Sequence, residues 1–152
     1  MMVPMTDDEV LYREKLNPAW WMWLLFLGLA GSVVIALAPI ATWLGILGGV
    51  IALILAPVIV YSRASSIVVT EDLLRVGRAS IERRFVGEVE AFTDPDDVRR
   101  VRGPELDARA YMNFSASASG MCRIEIIDPV DPTPYWLTAT RHPHELAQAL
   151  VG

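Results

Sequence analysis

The side chains that could do chemistry are few and far apart in this sequence. His142 and His144 flank Pro143, and histidines at i and i+2 on a helix start do not share a face. No cysteine or acidic triad completes a metal-ligand set around them. Cys122 is the single cysteine, which excludes an internal disulfide and a cysteine-cluster metal site. No Ser-His-Asp order, glycine-rich phosphate loop or glycosidase-like carboxylate pair stands out. Asp96-Asp97 and the Glu88/Glu90 pair read as solvated faces. The expectation is a chain with no catalytic residue, cofactor or metal, and not an enzyme.

Two stretches suit recognition better than catalysis. The run 128–136 holds three prolines and two aspartates between two strand-like segments. Proline fixes φ and stiffens a loop, and Asp-Pro pairs favour tight turns. One reading is a rigid surface on which Asp128, Asp131, Tyr135 and Trp136 meet a partner. The favoured one is a shaped connection with Trp136 in the core. Arg83-Arg84, and with them Arg99-Arg100-Arg102, could face anionic headgroups, at ~1 kcal/mol for each juxtamembrane cation. Against this, residues 62–152 carry 11 Arg and 14 acidic residues. The net charge of −5 leaves no basic field to collect phosphates and argues against nucleic acid as a partner.

The elements around these residues begin with a membrane signal. The chain has 152 residues, 53% of them hydrophobic, and a mean hydropathy of +0.38. Residues 16–62 form a run of 47 positions without one charge. A soluble core of this size would not leave such a run uncharged. One helix of that length would be about twice a bilayer's span, so the run must break, and Ala38-Pro39 is the natural place. Two transmembrane helices near 20–37 and 42–60, joined as a hairpin, are expected. Trp20, Trp21, Trp23 and Tyr61 would mark one membrane face and Trp43 the other. The acidic lead 1–17 and the long apolar run exclude a cleaved signal peptide.

Small residues fall on helical ridges in both spans: Gly28, Ser32 and Ala36 in the first, Gly45, Gly48, Gly49, Ala52 and Ala56 in the second. Such ridges let backbones approach closely. Packing within the hairpin is the favoured use, with contact to a second copy or a membrane-protein partner as the other. The turn 38–41 has no Lys or Arg, whereas Arg13, Lys15 and Arg63 flank the spans. The positive-inside rule then gives a multi-pass protein of the cell (inner) membrane with both termini cytoplasmic.

From residue 62 onward the period changes. Strands are expected at 66–70, 73–76, 80–85, 87–92, 108–114, 121–127 and 135–140, with one helical turn in 94–103 starting near Pro95. Pro143 suits a first helical position, His142 an N-cap, and Leu146, Ala147 and Leu150 an apolar stripe. Seven strands closed by a C-terminal helix match the order of a pleckstrin-homology-like barrel. The expected organisation is a lead 1–17, a helix hairpin 18–61 and a mainly-β (α+β) domain 62–152.

Several runs carry a resemblance. They are Tyr12-Arg13-Glu14-Lys15-Leu16 with Pro18-Ala19-Trp20-Trp21, Arg75-Val76-Gly77-Arg78-Ala79, Gly103-Pro104-Glu105-Leu106-Asp107-Ala108-Arg109-Ala110-Tyr111, and 128–137 with Thr140-Arg141. They resemble a family of small actinobacterial membrane proteins catalogued as domain of unknown function family 3093, over nearly the whole chain. Residues 113–120 depart most from its pattern, and the family brings no catalytic residues to carry over. By layout alone, membrane-anchored bacterial pleckstrin-homology-like domains are a more distant similarity. The expected function is a membrane-anchored, non-catalytic interaction or scaffold protein, such as an accessory subunit of an inner-membrane complex. An anionic-lipid-sensing module is the alternative, and an enzyme or transporter subunit ranks last, since no ionisable residue lies in the spans.

Overall fold

Alternating burial organises the β-rich part of the chain. The computed structural model describes residues 9–152, and residues 1–8 of the expected lead lie outside the described residues. The chain divides into two units. The described residues up to Leu16 join Ser65–Gly152 in one, and Asn17–Ala64 forms the other.

In the β-rich unit, the lead supplies strand β1 (Tyr12–Lys15), which pairs antiparallel with β2 (Ser66–Val69). With β3 (Leu73–Val76) and β4 (Ala79–Glu82) they form one sheet in the order β1-β2-β3-β4. The β3–β4 connection turns at Gly77, whose φ of +59° lies in the left-handed region that favours glycine. A 3-10 turn at Arg83–Phe85 leads into β5 (Val86–Phe92). Then follow α3 (Pro95–Arg102), β6 (Tyr111–Asn113), β7 (Gly120–Ile126), β8 (Tyr135–Thr140) and α4 (Pro143–Val151). The second sheet has the order β5-β7-β8-β6, with β6 parallel to β8 and the other pairs antiparallel. Each of the seven expected strand regions contains a strand, and β1 is an eighth. Within those regions, 83–85 is a 3-10 turn and the expected 108–114 is strand only at Tyr111–Asn113.

Ile67, Val69, Leu74 and Val76 of the first sheet share one core with Cys122, Ile124 and Trp136 of the second, and α4 adds Leu146 and Leu150. Helix α3 packs Val98 and Val101 on the opposite side of the second sheet, against Met121, Leu137 and Ala139. It runs for two turns rather than one because its start is well capped. Asp94 accepts the Asp96 N–H at 2.8 Å, and Pro95 supplies a pre-set φ.

The expected closed barrel is corrected to an α+β fold with two separate sheets. Closure needs a ladder between sheet edges. Here the edges are β1 and β4 on one sheet and β5 and β6 on the other, and no ladder joins them among the described residues. The 3-10 turn interrupts pairing between β4 and β5, and β6 adds in parallel to β8 at the outer edge.

The other unit is two uncharged helices, α1 (Met22–Leu37) and α2 (Thr42–Ser62). By length and composition, α2 is the one helix among the described residues able to cross a membrane; α1, with 16 residues, is shorter. The expected first span thus loses its first turn, because Trp20 and Trp21 form a turn, with Met22 N–H donating to Ala19 O at 3.0 Å. The helices pack antiparallel. A Cβ on Gly45 would stand 2.9 Å from Val34 O, and one on Gly49 2.5 Å from Val34 Cγ2 and 3.3 Å from Ala30 O. Gly45 and Gly49 are buried and Ala52 half-buried, so the second ridge lies between the two helices.

The first ridge does not. Gly28 and Ser32 are exposed, a Cβ on Gly28 would meet nothing within 4 Å, and Ser32 Oγ donates back to Gly28 O at 2.8 Å. Phe26, Ala30, Val33 and Val34 face α2 in their place. Small-residue spacing marks a ridge but not which ridge faces the partner. Gly49→Ile should therefore lower thermal stability in detergent by the equivalent of about 1–3 kcal/mol of overpacking. Gly28→Ile should leave it unchanged, and equal loss in both variants would rule out this seam.

Candidate functional site

The β7–β8 connection, where partner contact is expected, is built by its aspartates. Asp128 Oδ1 accepts the Val130 N–H and Asp131 Oδ1 the Thr133 N–H, each at 2.9 Å. Hydrogen bonds from Thr133, its hydroxyl first and then its N–H, hold the Asp131 carboxyl below the usual carboxylate range. Trp136 is corrected as a partner contact. It pairs with Ile124 on the inner side of the sheet, is 4% exposed, and has its ring 5.4 Å from Tyr111. Alternation sends Tyr135 to the outer face. Its hydroxyl accepts the Asp107 N–H at 2.8 Å and donates to Glu105 O at 3.4 Å.

Arg83 is likewise corrected as a lipid contact. Its Nη2 donates to Ala149 O at 2.9 Å and Leu150 O at 3.0 Å, carbonyls in the last turn of α4. A helix C-terminus leaves such carbonyls unpaired and carries partial negative charge, which is why an arginine settles there. Arg84 is exposed, but its Nε lies 2.7 Å from Glu82 Oε2 and its guanidinium stacks over Phe85 at 4.7 Å.

A second polar cluster joins residues far apart in the sequence, which no local pattern announces. Glu14, 7% exposed, accepts the hydroxyls of Tyr12 at 2.7 Å and of Thr140, and the Arg141 N–H at 2.8 Å. Burial, with the Glu14 carboxylate beside it, pushes the Tyr12 hydroxyl far above its ordinary range. Thr140 Oγ1 also accepts the His142 N–H at 3.1 Å. His142 holds the N-cap position of α4, yet its side chain makes no capping bond. Among the described residues no group of three His, Cys, Asp or Glu side chains is placed to hold a metal ion.

A family model matches residues 11–150. The chain belongs to the DUF3093 family, described as proteins of unknown function. No curated protein and no solved structure matches it. In this DUF3093 chain the runs that carry the resemblance meet one another. Glu14 joins 12–16 to Thr140-Arg141, and Tyr135 joins 128–137 to 103–111. Tyr111 donates to Val76 O at 3.1 Å, which adds 75–79. These contacts give those runs a structural role before any other.

The remaining outer surface of the second sheet holds a cleft of about 290 Å³ lined by Glu88, Glu90, Arg123, Glu125, Pro134 and Tyr135. Arg123 pairs with Glu90 across the β5–β7 ladder, and its guanidinium sits 5.6 Å from the Phe92 ring and 5.7 Å from the Tyr135 ring. Glu125 Oε2 accepts the Glu88 N–H at 2.9 Å, where β5 bulges between Val86 and Val89. Glu88 and Glu90 thus line a cleft in place of a plain solvated face. Arg123 and Glu125, the outward members of the Met121–Ile126 alternation, complete it. Cys122 lies on the inner side, where burial pushes its thiol up to about 12.

Proposed function

We propose that this DUF3093 chain is a membrane-anchored, non-catalytic interaction or scaffold protein. Residues 17–64 enter the bilayer as a two-helix hairpin, and the β-rich unit docks a membrane-protein partner at the cytoplasmic face. The observation that carries the reading is the outward surface of the helices. Leu24, Leu25 and Ile35 of α1 and Ile46, Ile54 and Val58 of α2 are all more than half exposed. Apolar surface of that extent needs lipid or protein against it.

Two spans are supported by the hydrogen bonds flanking α1. A hydrogen-bonded turn, with Met22 N–H on Ala19 O, precedes α1, and the Ala38 N–H bonds Val34 O at the other end, so apolar turn and helix together reach roughly 30 Å. The rings of Trp23 and Tyr61 lie 6.5 Å apart, so the two aromatic anchors share one end of the hairpin. Lys15 and Arg63 flank that end, whereas 38–41 carries no cation. Asp128, Asp131 and Tyr135 remain on the surface connection offered to a partner.

Single cysteines on a Cys122→Ala background test the topology. Ile40, 73% exposed in the helix connection, and Ser119, exposed in the β-rich unit, are the positions to use. In intact cells a membrane-impermeant maleimide should label position 40 and not 119, and lysis should open 119. Labelling of 119 in intact cells, with 40 protected, would place the β-rich unit outside and remove cytoplasmic partners from the reading.

A further inference from the structure

The outer face of the first sheet sorts its charges by position. Along β1 and the residue after it, Glu14 and Leu16 are buried, and Arg13 and Lys15 stand outward. Along β3, Leu74 and Val76 are buried and Arg75 stands outward. The ladder pairs Arg13 with Val68 and Val68 with Arg75, so both arginines lie in one row. Two strand spacings separate them, about 10 Å. Lys15 lies opposite Ser66, the next outward position. Gly77 N–H donates to Ser66 O at 2.9 Å, which sets the turn bearing Arg78 at that same end of the sheet.

These four side chains are exposed, and none pairs with a carboxylate among the described residues. The exposed acidic groups of this sheet are gathered at its other end, and Glu14 is buried on the inner face. Glu71 and Asp72 form the β2–β3 turn, and Glu82 lies opposite Leu73 with its charge on Arg84. The basic end is also where the chain passes between units: β1 runs into Asn17, and β2 follows Ala64.

We propose that Arg13, Lys15, Arg75 and Arg78 form a contact surface for the anionic phospholipid headgroups of the membrane that residues 17–64 enter. The inference rests on the membrane-anchored reading above. Charge complementarity selects the occupant, since headgroups are the anionic surface that chain order brings to this end of the sheet. It moves lipid contact from Arg83 and Arg84, which are held by α4 and Glu82, to cations with no such partners. Each of the four adds attraction that fades within a Debye length.

The test uses the full chain with Cys122→Ala and a nitroxide on Ser80→Cys, the exposed residue opposite Arg75. Val68→Cys, between the two arginines, serves as a second label position. The protein is reconstituted in vesicles of phosphatidylcholine alone or mixed with phosphatidylglycerol. Collision of the label with a water-soluble nickel complex should fall in the mixed vesicles only. It should recover near 1 M salt, where the Debye length is about 3 Å. Arg75→Gln and Arg78→Gln should each lower the docked-to-undocked ratio about fivefold. Equal accessibility in both vesicles, for protein that resists alkaline extraction, overturns the proposal. So does protection in the neutral vesicles equal to that in the anionic ones, which would assign the face to a protein contact. Extraction of the chain by alkali overturns the anchored reading itself.

Discussion

Leu146→Ala is expected to destabilise the β-rich unit by about 2–5 kcal/mol, a roughly 30-fold or larger rise in its opening equilibrium. Leu146 is fully buried and packs with Leu150 among residues of both sheets, so truncation leaves a cavity where the two sheets and α4 meet. The chain carries its own reporter. Cys122 is its one cysteine, has no exposed surface, and sits in the same core. A thiol reagent should reach it only when the unit opens, so labelling of the full chain in detergent against urea measures that opening directly. Work near pH 8 is suitable. The raised thiol pKa contributes stability that is fully present below the ordinary value of 9.0 and is lost as pH rises toward about 12. Gln148→Ala, on the exposed side of the same helix, should leave the urea midpoint in place. If Leu146→Ala leaves it in place as well, α4 is not part of the core.

Local pattern made most strands legible, and the failures have separate physical causes. Cys122, Ile124 and Ile126 alternate with Arg123 and Glu125, and the expected strand 121–127 is found at Gly120–Ile126 with the first set inside. Tyr12–Lys15 carries no strand signal in the sequence because its buried position is filled by a glutamate. A hydrophobicity pattern scores Arg13-Glu14-Lys15 as a charged lead, although its burial alternates as a strand's does. The closed barrel failed on non-local pairing. Nothing in Tyr111-Met112-Asn113 announces that it lies parallel to Trp136-Leu137-Thr138 at an edge.

The candidate site failed in the same way. Arg83 next to Arg84 reads as a basic pair, but only the fold brings two α4 carbonyls to one of them. Asp128 and Asp131 were legible as turn builders, and Trp136 as core, because turn chemistry and alternation are local. Which charges are left unpaired after folding depends in part on non-local pairs such as Arg123 with Glu90, which no local pattern announces.

The buried carboxylate is expected to be the second most sensitive point. Glu14→Ala removes an acceptor from two hydroxyls and one backbone N–H, and hydrogen bonds to a charged group are worth about 1.5–3 kcal/mol each. Relaxation and water returning to the hydroxyls offset part of this, so a loss of about 2–4 kcal/mol is expected. The effect should be local. Glu14 ties β1 to the β8–α4 corner, so the amides of Tyr12–Lys15 should lose exchange protection before those of Gly120–Ile126. Glu14→Gln separates charge from geometry. Its carbonyl can still accept the Arg141 N–H, and its amide can donate to the Tyr12 and Thr140 hydroxyls, which accept as readily as they donate. Gln should therefore keep most of the protection that Ala loses. Uniform loss across both segments would show that β1 opens with the whole unit. Full protection in Glu14→Ala would show that the ladder to β2 holds β1 unaided, with Glu14 adding nothing. Such a lock has a mechanical meaning, because β1 and β2 are the two strands through which the chain enters and leaves residues 17–64. With Glu14 in place, that pair is tied through Thr140 to α4, the helix that also completes the core.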